Sequence, residues 1–503
     1  SRSMRADGTD EVLPTLDRLA RRLRRDLGES LYSVTRQSVP LGQATTPSLE
    51  ALEAWSEGQF HWGQRRFDEA VSLFQRAIEL DSSFAMAHQE LGGAYYYMGD
   101  RQKGERHFEM AVSLTDRITE RERLWIQAEI ENWRENYESA VAAYNIYLTR
   151  FQDDLSGWFR LGFAQMRQGH NPEAVRAFTR VAELDPTNVA AYINLATSYN
   201  QLGEREKALE HYLNAFELRP DWRTSGNLNH EFGFNYAELG EIENAEAVFR
   251  EMLSGPDDQR ALGYRSLGLL NMYVGRYREA QEHLRQAVLI QEALGYGLSE
   301  FRSRLYLASA LLAHGAEEAV REELAIARTL AEPESVEPNW LQYVGKHHAR
   351  LGMIEETVTF LANAVSRMNE DSPGDRAAVA LLRGELALAQ GMTEEALRHL
   401  ETAYALTESS YALASLAYAH YVAGDLERAE EDYLTLIFRL DLGWEAQEPW
   451  AQAHYRLGNI YQQLGDTGNA LKYYRALLNI WEHGDDDILL LAEARRRIEE
   501  LSG

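Results

Sequence analysis

The side chains able to do covalent or metal chemistry are scattered through this sequence. His347 and His348 are adjacent, and neighbours on a helix point about a hundred degrees apart, so they read as surface or groove histidines. No His-Glu-x-x-His pairs two imidazoles on one face. Gly484-Asp485-Asp486-Asp487 lacks the alternating carboxylates of a calcium loop and reads as a helix start. Gly295-Tyr296-Gly297 has no third glycine and no preceding strand, which argues against a dinucleotide loop. There is no Gly-x-Ser-x-Gly and no cysteine, which removes the common nucleophiles, disulfides and thiolate metal ligands. Acidic pairs such as Glu317-Glu318 and Glu394-Glu395 suit helix starts, where carboxylates meet the positive end of the dipole. The expectation is a chain that is not an enzyme and holds no cofactor and no metal.

Binding chemistry is better represented. Eight of the aromatic residues in the first third of the chain are candidates for a binding surface: Trp55, Trp62, Tyr96, Tyr97, Trp125, Trp133, Phe159 and Phe163. Aromatic side chains give much contact area for little lost freedom and are favoured at binding hot spots. Later stretches offer smaller or polar groups at the matching places, such as Thr197, Asn200, Ser309 and Gln342, and Lys346 with Arg350 reads as an isolated basic pair. The competing reading of the aromatics is packing between helices, since helical spacing alone also marks a core face.

What positions these residues is a repeat. Trp158, Leu161, Gly162, Gly169, Ala174, Phe178 and Pro186 are matched 34 residues on by Tyr192, Leu195, Ala196, Gly203, Ala208, Tyr212 and Pro220. This is the tetratricopeptide pattern of two antiparallel helices with a period of about 34 residues. Gly162 or Ala196 faces Ala174 or Ala208 where the helices approach. Gly169 and Gly203 end the first helix in a conformation glycine adopts cheaply, and Pro186 and Pro220 stop the second. The small residue of the second helix recurs at 70, 104, 140, 174, 208, 245, 280, 320, 357, 396, 429 and 470, which predicts twelve helix pairs. A turn glycine is missing only from the first and third. One pair cannot bury its apolar face, so neighbours must stack.

The resemblance to tetratricopeptide repeats implies an all-α, right-handed superhelical α-solenoid whose first helices line a concave groove. The eight aromatics would then face a protein or peptide ligand. Chaperone-type carboxylate clamps use Lys and Asn on three successive first helices; Trp55, Gln59, Gln89, Trp125 and Phe159 stand here instead.

The expected organisation is a polar segment and amphipathic capping helix over 1–46, a first repeat block over 47–294, a second over 295–484 and a capping helix over 485–503. Leu16, Leu19, Leu23 and Leu27 form the stripe of the first cap, beside Arg18, Arg21, Arg22, Arg24 and Arg25. Thr46-Pro47 reads as a capped helix start. Extra residues between pairs mark Gly295–Glu300, Glu332–Glu337, Asn369–Asp375 and Asp441–Pro449 as places where the array bends. Ser1-Arg2-Ser3-Met4 reads as a cloning remnant ahead of a fragment of a longer chain.

A net charge of −28 makes nucleic acid and anionic lipid poor partners. No apolar run reaches the ~18 residues of a membrane span. Leu16 to Leu31, Val39 to Leu52 and Arg-Glu-Arg-Leu-Trp-Ile-Gln-Ala at Arg121–Ala128 resemble the C-terminal repeat regions of bacterial multidomain signalling proteins of the serine/threonine kinase, adenylate cyclase or winged-helix regulator type. None of those catalytic motifs is in this sequence. The resemblance implies a sensory or interaction arm, cytoplasmic or facing the periplasm, with self-assembly of arrays as the alternative role.

Overall fold

The computed structural model describes residues 46–502 except 226–227, 331–337, 371 and 440–446, together with isolated positions between 12 and 22. The expected N-terminal capping helix lies almost wholly outside the described residues, as do the expected bends at Glu332–Glu337 and most of Asp441–Pro449. All described regular structure is helical.

The contacts divide the chain into two compact units, residues 1–204 and 205–503. Unit 1 contains α1 (Leu49–Gly63), α2 (Phe67–Leu80), α3 (Ala85–Tyr97), α4 (Arg101–Ser113), α5 (Glu120–Trp133), α6 (Tyr137–Arg150), α7 (Leu155–Arg167), α8 (Asn171–Leu184) and α9 (Val189–Gln201). Unit 2 opens with α10 (Arg205–Leu218), a single turn α11 (Trp222–Ser225), α12 (Leu228–Glu238), α13 (Ile242–Met252), α14 (Asp257–Tyr273), α15 (Tyr277–Leu294), α16 (Gly297–Leu312) and α17 (Glu317–Leu330). It continues with α18 (Pro338–Arg350), α19 (Ile354–Arg367), α20 (Pro373–Ala389), α21 (Thr393–Thr407), α22 (Ser410–Ala423), α23 (Leu426–Phe438), α24 (Gln447–Gln463), α25 (Thr467–Ile480) and α26 (Leu489–Ser502). Read along the chain, these make twelve successive pairs and a closing helix, an all-α repeat array.

The boundary near Gly295 does not coincide with the division between units. The extra residues there lengthen helices: α15 runs to Leu294, Gly295 closes it at φ 69°, and α16 starts at Gly297. Likewise Ser372 caps α20 within the stretch 369–375, its Oγ accepting from Asp375 N.

Local rules account for the pairs. Every small residue expected in a second helix, from Ala70 and Gly104 to Ala429 and Ala470, is buried. The small residue of the first helix answers to a ring as well as to close backbone approach, since a Cβ on Gly92 would also lie 3.1 Å from Gly104 O. A Cβ on Gly162 would lie 2.9 Å from the Phe178 ring, and one on Gly92 2.5 Å from the Phe108 ring, so the glycine makes room for a ring of its own pair. In the two pairs without a turn glycine, Arg65 and Glu135 take the left-handed conformation themselves, each at φ 60°. Ser48, not Thr46, caps α1: its Oγ accepts from Ala51 N at 3.1 Å. Thr46 instead donates to Asp81 Oδ2 at 2.5 Å.

Unit 2 closes on itself. α24 packs against α14, with Tyr273 stacked on Trp450 at 5.4 Å. The Trp481 indole sits on Gly275, where a Cβ would be 2.6 Å from the ring, and its Nε1 donates to Tyr273 O at 3.0 Å. Asp485 N donates to Gly275 O at 2.9 Å, and Leu489 N to Ala313 O at 3.3 Å. The Asp485–Asp487 run is therefore not the start of a helix. Asp485 Oδ2 accepts from Arg278 N at 2.8 Å, Asp487 pairs with the Arg278 guanidinium, and His314 Nε2 lies 3.3 Å from Asp487 Oδ1. A one-dimensional stack has only neighbour contacts; here the closing contacts span 208 residues.

Candidate functional site

In unit 1 three of the eight sequence-selected aromatics come together. Trp62, at the end of α1, meets Tyr97 of α3 at 5.4 Å and Trp133 of α5 at 6.3 Å, both edge-on. Phe67, not selected from the sequence, completes the group at 5.0 Å from Trp62 and 4.6 Å from Tyr97. Edge-to-face rings at such separations attract beyond their buried area. The group stays partly open: Trp62 and Trp133 are half-buried and Tyr97 is 51% exposed. Gly93 admits Trp133, since a Cβ there would lie 2.5 Å from the indole Nε1.

The other five are half-buried and held by their own neighbours. Trp55 tilts on Phe84, Trp125 on Tyr144 and Tyr147, and Phe159 on Phe178. Phe163 packs with the Ala174–Phe178–Leu195 cluster. Tyr96 turns to Phe108 and donates its hydroxyl to Glu105.

The same run of first helices carries polar residues that the aromatic pattern did not reveal. Glu129 is buried, accepts from the Tyr144 hydroxyl at 2.5 Å and pairs with Arg160 Nε at 3.0 Å. Burial, then repulsion from Glu129, push the Glu90 carboxyl up to about 7, against the pull of Arg160 and a hydrogen bond from Gln59. Gln89 is wholly buried with neither amide atom hydrogen-bonded. Such groups are rare in native proteins and ask for an explanation.

In unit 2 two cavities lie among the helices, lined mostly by first helices. The larger, about 300 Å³, is lined from α18, α20, α22, α23 and α24, with Arg350, Glu385, Tyr418, Tyr433 and Arg456 as its polar groups with Gln452. The smaller, about 70 Å³, shares Arg350 and adds Arg302, Trp340, Tyr343, Lys346 and Tyr411. Lys346 is thus not part of an isolated surface pair. It is 2% exposed, its ammonium 3.5 Å over the Tyr411 ring, and it donates to Ser415 Oγ at 2.8 Å. Ser415 Oγ donates in turn to Glu385 Oε1 at 2.5 Å, which lies 3.5 Å from Lys346 and 3.7 Å from Arg350. Burial raises the Glu385 pKa, but Arg350, Lys346 and the Ser415 bond outweigh it and leave the carboxyl below its ordinary value.

His347 lines the smaller cavity. His347 Nδ1 lies 2.8 Å from Tyr343 O. A carbonyl only accepts, so Nδ1 carries the proton and Nε2 accepts from Ser309 Oγ at 2.8 Å. Burial holds His347 down to about 4. His348 is buried rather than at the surface. Among the described residues no helix is long and apolar enough to cross a membrane.

Residues 56–114, 156–188, 189–221, 381–442 and 451–480 match family descriptions of the tetratricopeptide repeat. The chain carries tetratricopeptide repeats. It is similar to Superkiller complex protein 3 of Mus musculus, 24% identical over 205 residues, which are 33% of this chain and 13% of that protein. It is also similar to the peroxisomal targeting signal receptor of Eremothecium gossypii, 32% identical over 84 residues, 17% of this chain and 15% of that one. The chain spans less than a third of the length of these curated relatives. Among solved structures, a tetratricopeptide repeat protein from Parabacteroides merdae aligns over 59% of this chain and 98% of its own with a TM-score of 0.39 and 17% identity. The peptide-binding tetratricopeptide protein YrrB aligns over 38% and 94% with a TM-score of 0.24 and 21% identity.

The tetratricopeptide register explains which side chains line the inside of unit 2. The residue after the small residue of each first helix is Leu269, Ser309, Lys346, Glu385 and Tyr418 in five successive pairs, and all five line a cavity.

Proposed function

We propose that the chain is a non-catalytic scaffold and that unit 1 binds a peptide segment along its first helices. The observation that supports this is the ring group of Trp62, Phe67, Tyr97 and Trp133, gathered from three successive pairs and left partly open. An apolar side chain of a ligand would gain contact against rings already held by one another, with little ordering cost. The acidic surface of a chain of net charge −28 would favour a basic flank on such a ligand. Likeness to a targeting-signal receptor fits a peptide ligand. The resemblance of 12–160 to bacterial signalling proteins fits an interaction arm in a larger system.

Fluorescence anisotropy with short labelled peptides, each pairing an aromatic or aliphatic residue with a basic flank, tests the site. Binding should weaken in Trp62→Ala and in Trp133→Ala and persist when the charge of Arg76, an exposed second-helix residue, is removed. Full affinity in the Trp62→Ala/Trp133→Ala double variant would place the ligand elsewhere.

A further inference from the structure

We propose that the larger cavity of unit 2 is a second binding site, for a small organic molecule that carries an oxyanion, carboxylate or phosphate, on an apolar body. Its volume of about 300 Å³ stands at the lower end of ordinary small-molecule pockets. That suits one compact molecule rather than a length of chain.

Two side chains supply the recognition. Tyr433 is 4% exposed, yet its ring lines the cavity and its hydroxyl has no hydrogen-bond partner among the described residues. That hydroxyl is left to pair with whatever occupies the cavity, water or ligand. Arg456 comes from the next helix, α24, and lines the same space. It rests against Tyr418 at 5.0 Å and Tyr421 at 5.3 Å, and makes no ion pair with a described carboxylate. Aromatic contact orients the guanidinium while its N–H fork remains free for a planar or tetrahedral oxyanion. Glu385 lines the same space, but its Oε1 lies with Lys346, Arg350 and Ser415, and no described ion pair joins it to Arg456. The opposite wall, from Leu388, Ala389 and Ala414, offers apolar surface to the body of the ligand. A chain of net charge −28 has little general attraction for anions. A guanidinium and a phenol converging on a walled cavity are therefore a local device. This site uses none of the residues of the peptide groove in unit 1, so either can fail alone.

The test uses the full chain with sodium benzoate and phenyl phosphate as probes and benzamide as the uncharged control, read by thermal unfolding and titration calorimetry. A ligand that binds only the folded state raises the midpoint with concentration. At least one anion should give a saturable response and benzamide none; benzoate alone identifies a carboxylate site, phenyl phosphate alone a phosphate site. Arg456→Gln should weaken the response about tenfold or more. Tyr433→Phe, which keeps the ring in place, should weaken it roughly fivefold. The proposal is overturned if neither anion gives a saturable response, if benzamide matches the anions, or if the response is unchanged in Tyr433→Phe and in an Arg456→Gln variant with native circular dichroism.

Discussion

The two units use the same helix pair to opposite ends. In unit 1 the first helices bring rings together over three neighbouring pairs and leave them partly open. In unit 2 the first helices meet around a cavity, and the C-terminal segment shuts the circuit by reaching Tyr273, Gly275, Arg278 and Ala313. The lesson is that the inward positions of a repeat have no fixed character. Where neighbours alone are available they stay partly open, as the Trp62, Tyr97 and Trp133 rings do. Where the far end returns, they become the wall of an interior, and charged residues such as Lys346 and Glu385 can be buried there in each other's company.

The sharpest way to break this contrast is Trp481→Ala. Removing a ring 2% exposed should cost unit 2 about 3–5 kcal/mol. Hydrogen exchange should rise over 257–316 as well as over 467–502, with unit 1 unchanged. A rise confined to the last helices would mean that the closure contributes nothing. Next in size is the ligand side: Trp62→Ala should weaken peptide binding by at least about 2 kcal/mol and leave anion binding by unit 2 untouched, as calorimetry with both probes can show. Ala174→Leu should overpack α7 against α8 and cost roughly 1–3 kcal/mol. Exchange should increase around 155–184 and fade toward α1, because unit 1 is stacked by neighbours.

The smallest effect is in pH. The Glu90 carboxyl has its folded pKa raised from 4.5 to about 7, so the folded state holds the extra proton between those values. Unit 1 then loses stability as pH rises through that window. His107, held down to about 4 by burial, acts in the other direction, so the measurement is the difference between wild type and Glu90→Gln in denaturant midpoint against pH. In unit 2 the signs agree with one another. Glu385 is lowered, so its contribution is present at neutral pH and is lost in acid as pH falls through its lowered value. His347, lowered to about 4, favours folding above its ordinary value of 6.5 and ceases to as pH falls to 4. Acid should therefore weaken unit 2 while relieving Glu90 in unit 1.

Much of the fold could be read in the sequence because its rules are local. Ala70 to Ala470 mark the second helices, and the turn positions follow, even where Arg65 and Glu135 replace glycine. The ring group was readable in part. Trp62, Tyr97 and Trp133 stand at related positions in three pairs and meet; Tyr96, one residue from Tyr97, faces the other way, which spacing could not distinguish. Lys346 and Arg350 looked like an isolated basic pair because the partners of Lys346, Glu385 and Ser415, lie in other pairs, up to 69 residues away. One signal was present: Lys346 and Glu385 each follow the small residue of a first helix, as Ser309 does, and that register points inward. The closure left no such trace. Trp481 and Asp485 look like the end of a pair and the start of a cap until Gly275 is seen beneath the indole.

The return of Trp481 to Tyr273 also sets an order in time. A growing chain can fold each pair of unit 2 as it emerges, since those contacts are short in sequence. The contacts of Trp481, Asp485 and Leu489 with Tyr273, Gly275 and Ala313 form only after those residues have left the ribosome, when a loop of some two hundred residues must be closed at once. Until then the local pairs, including the α22–α24 cluster around Tyr433, can already pack, while the contacts between α14–α16 and the segment from Trp481 onward are still unmade, so the clasp follows the pairs it joins.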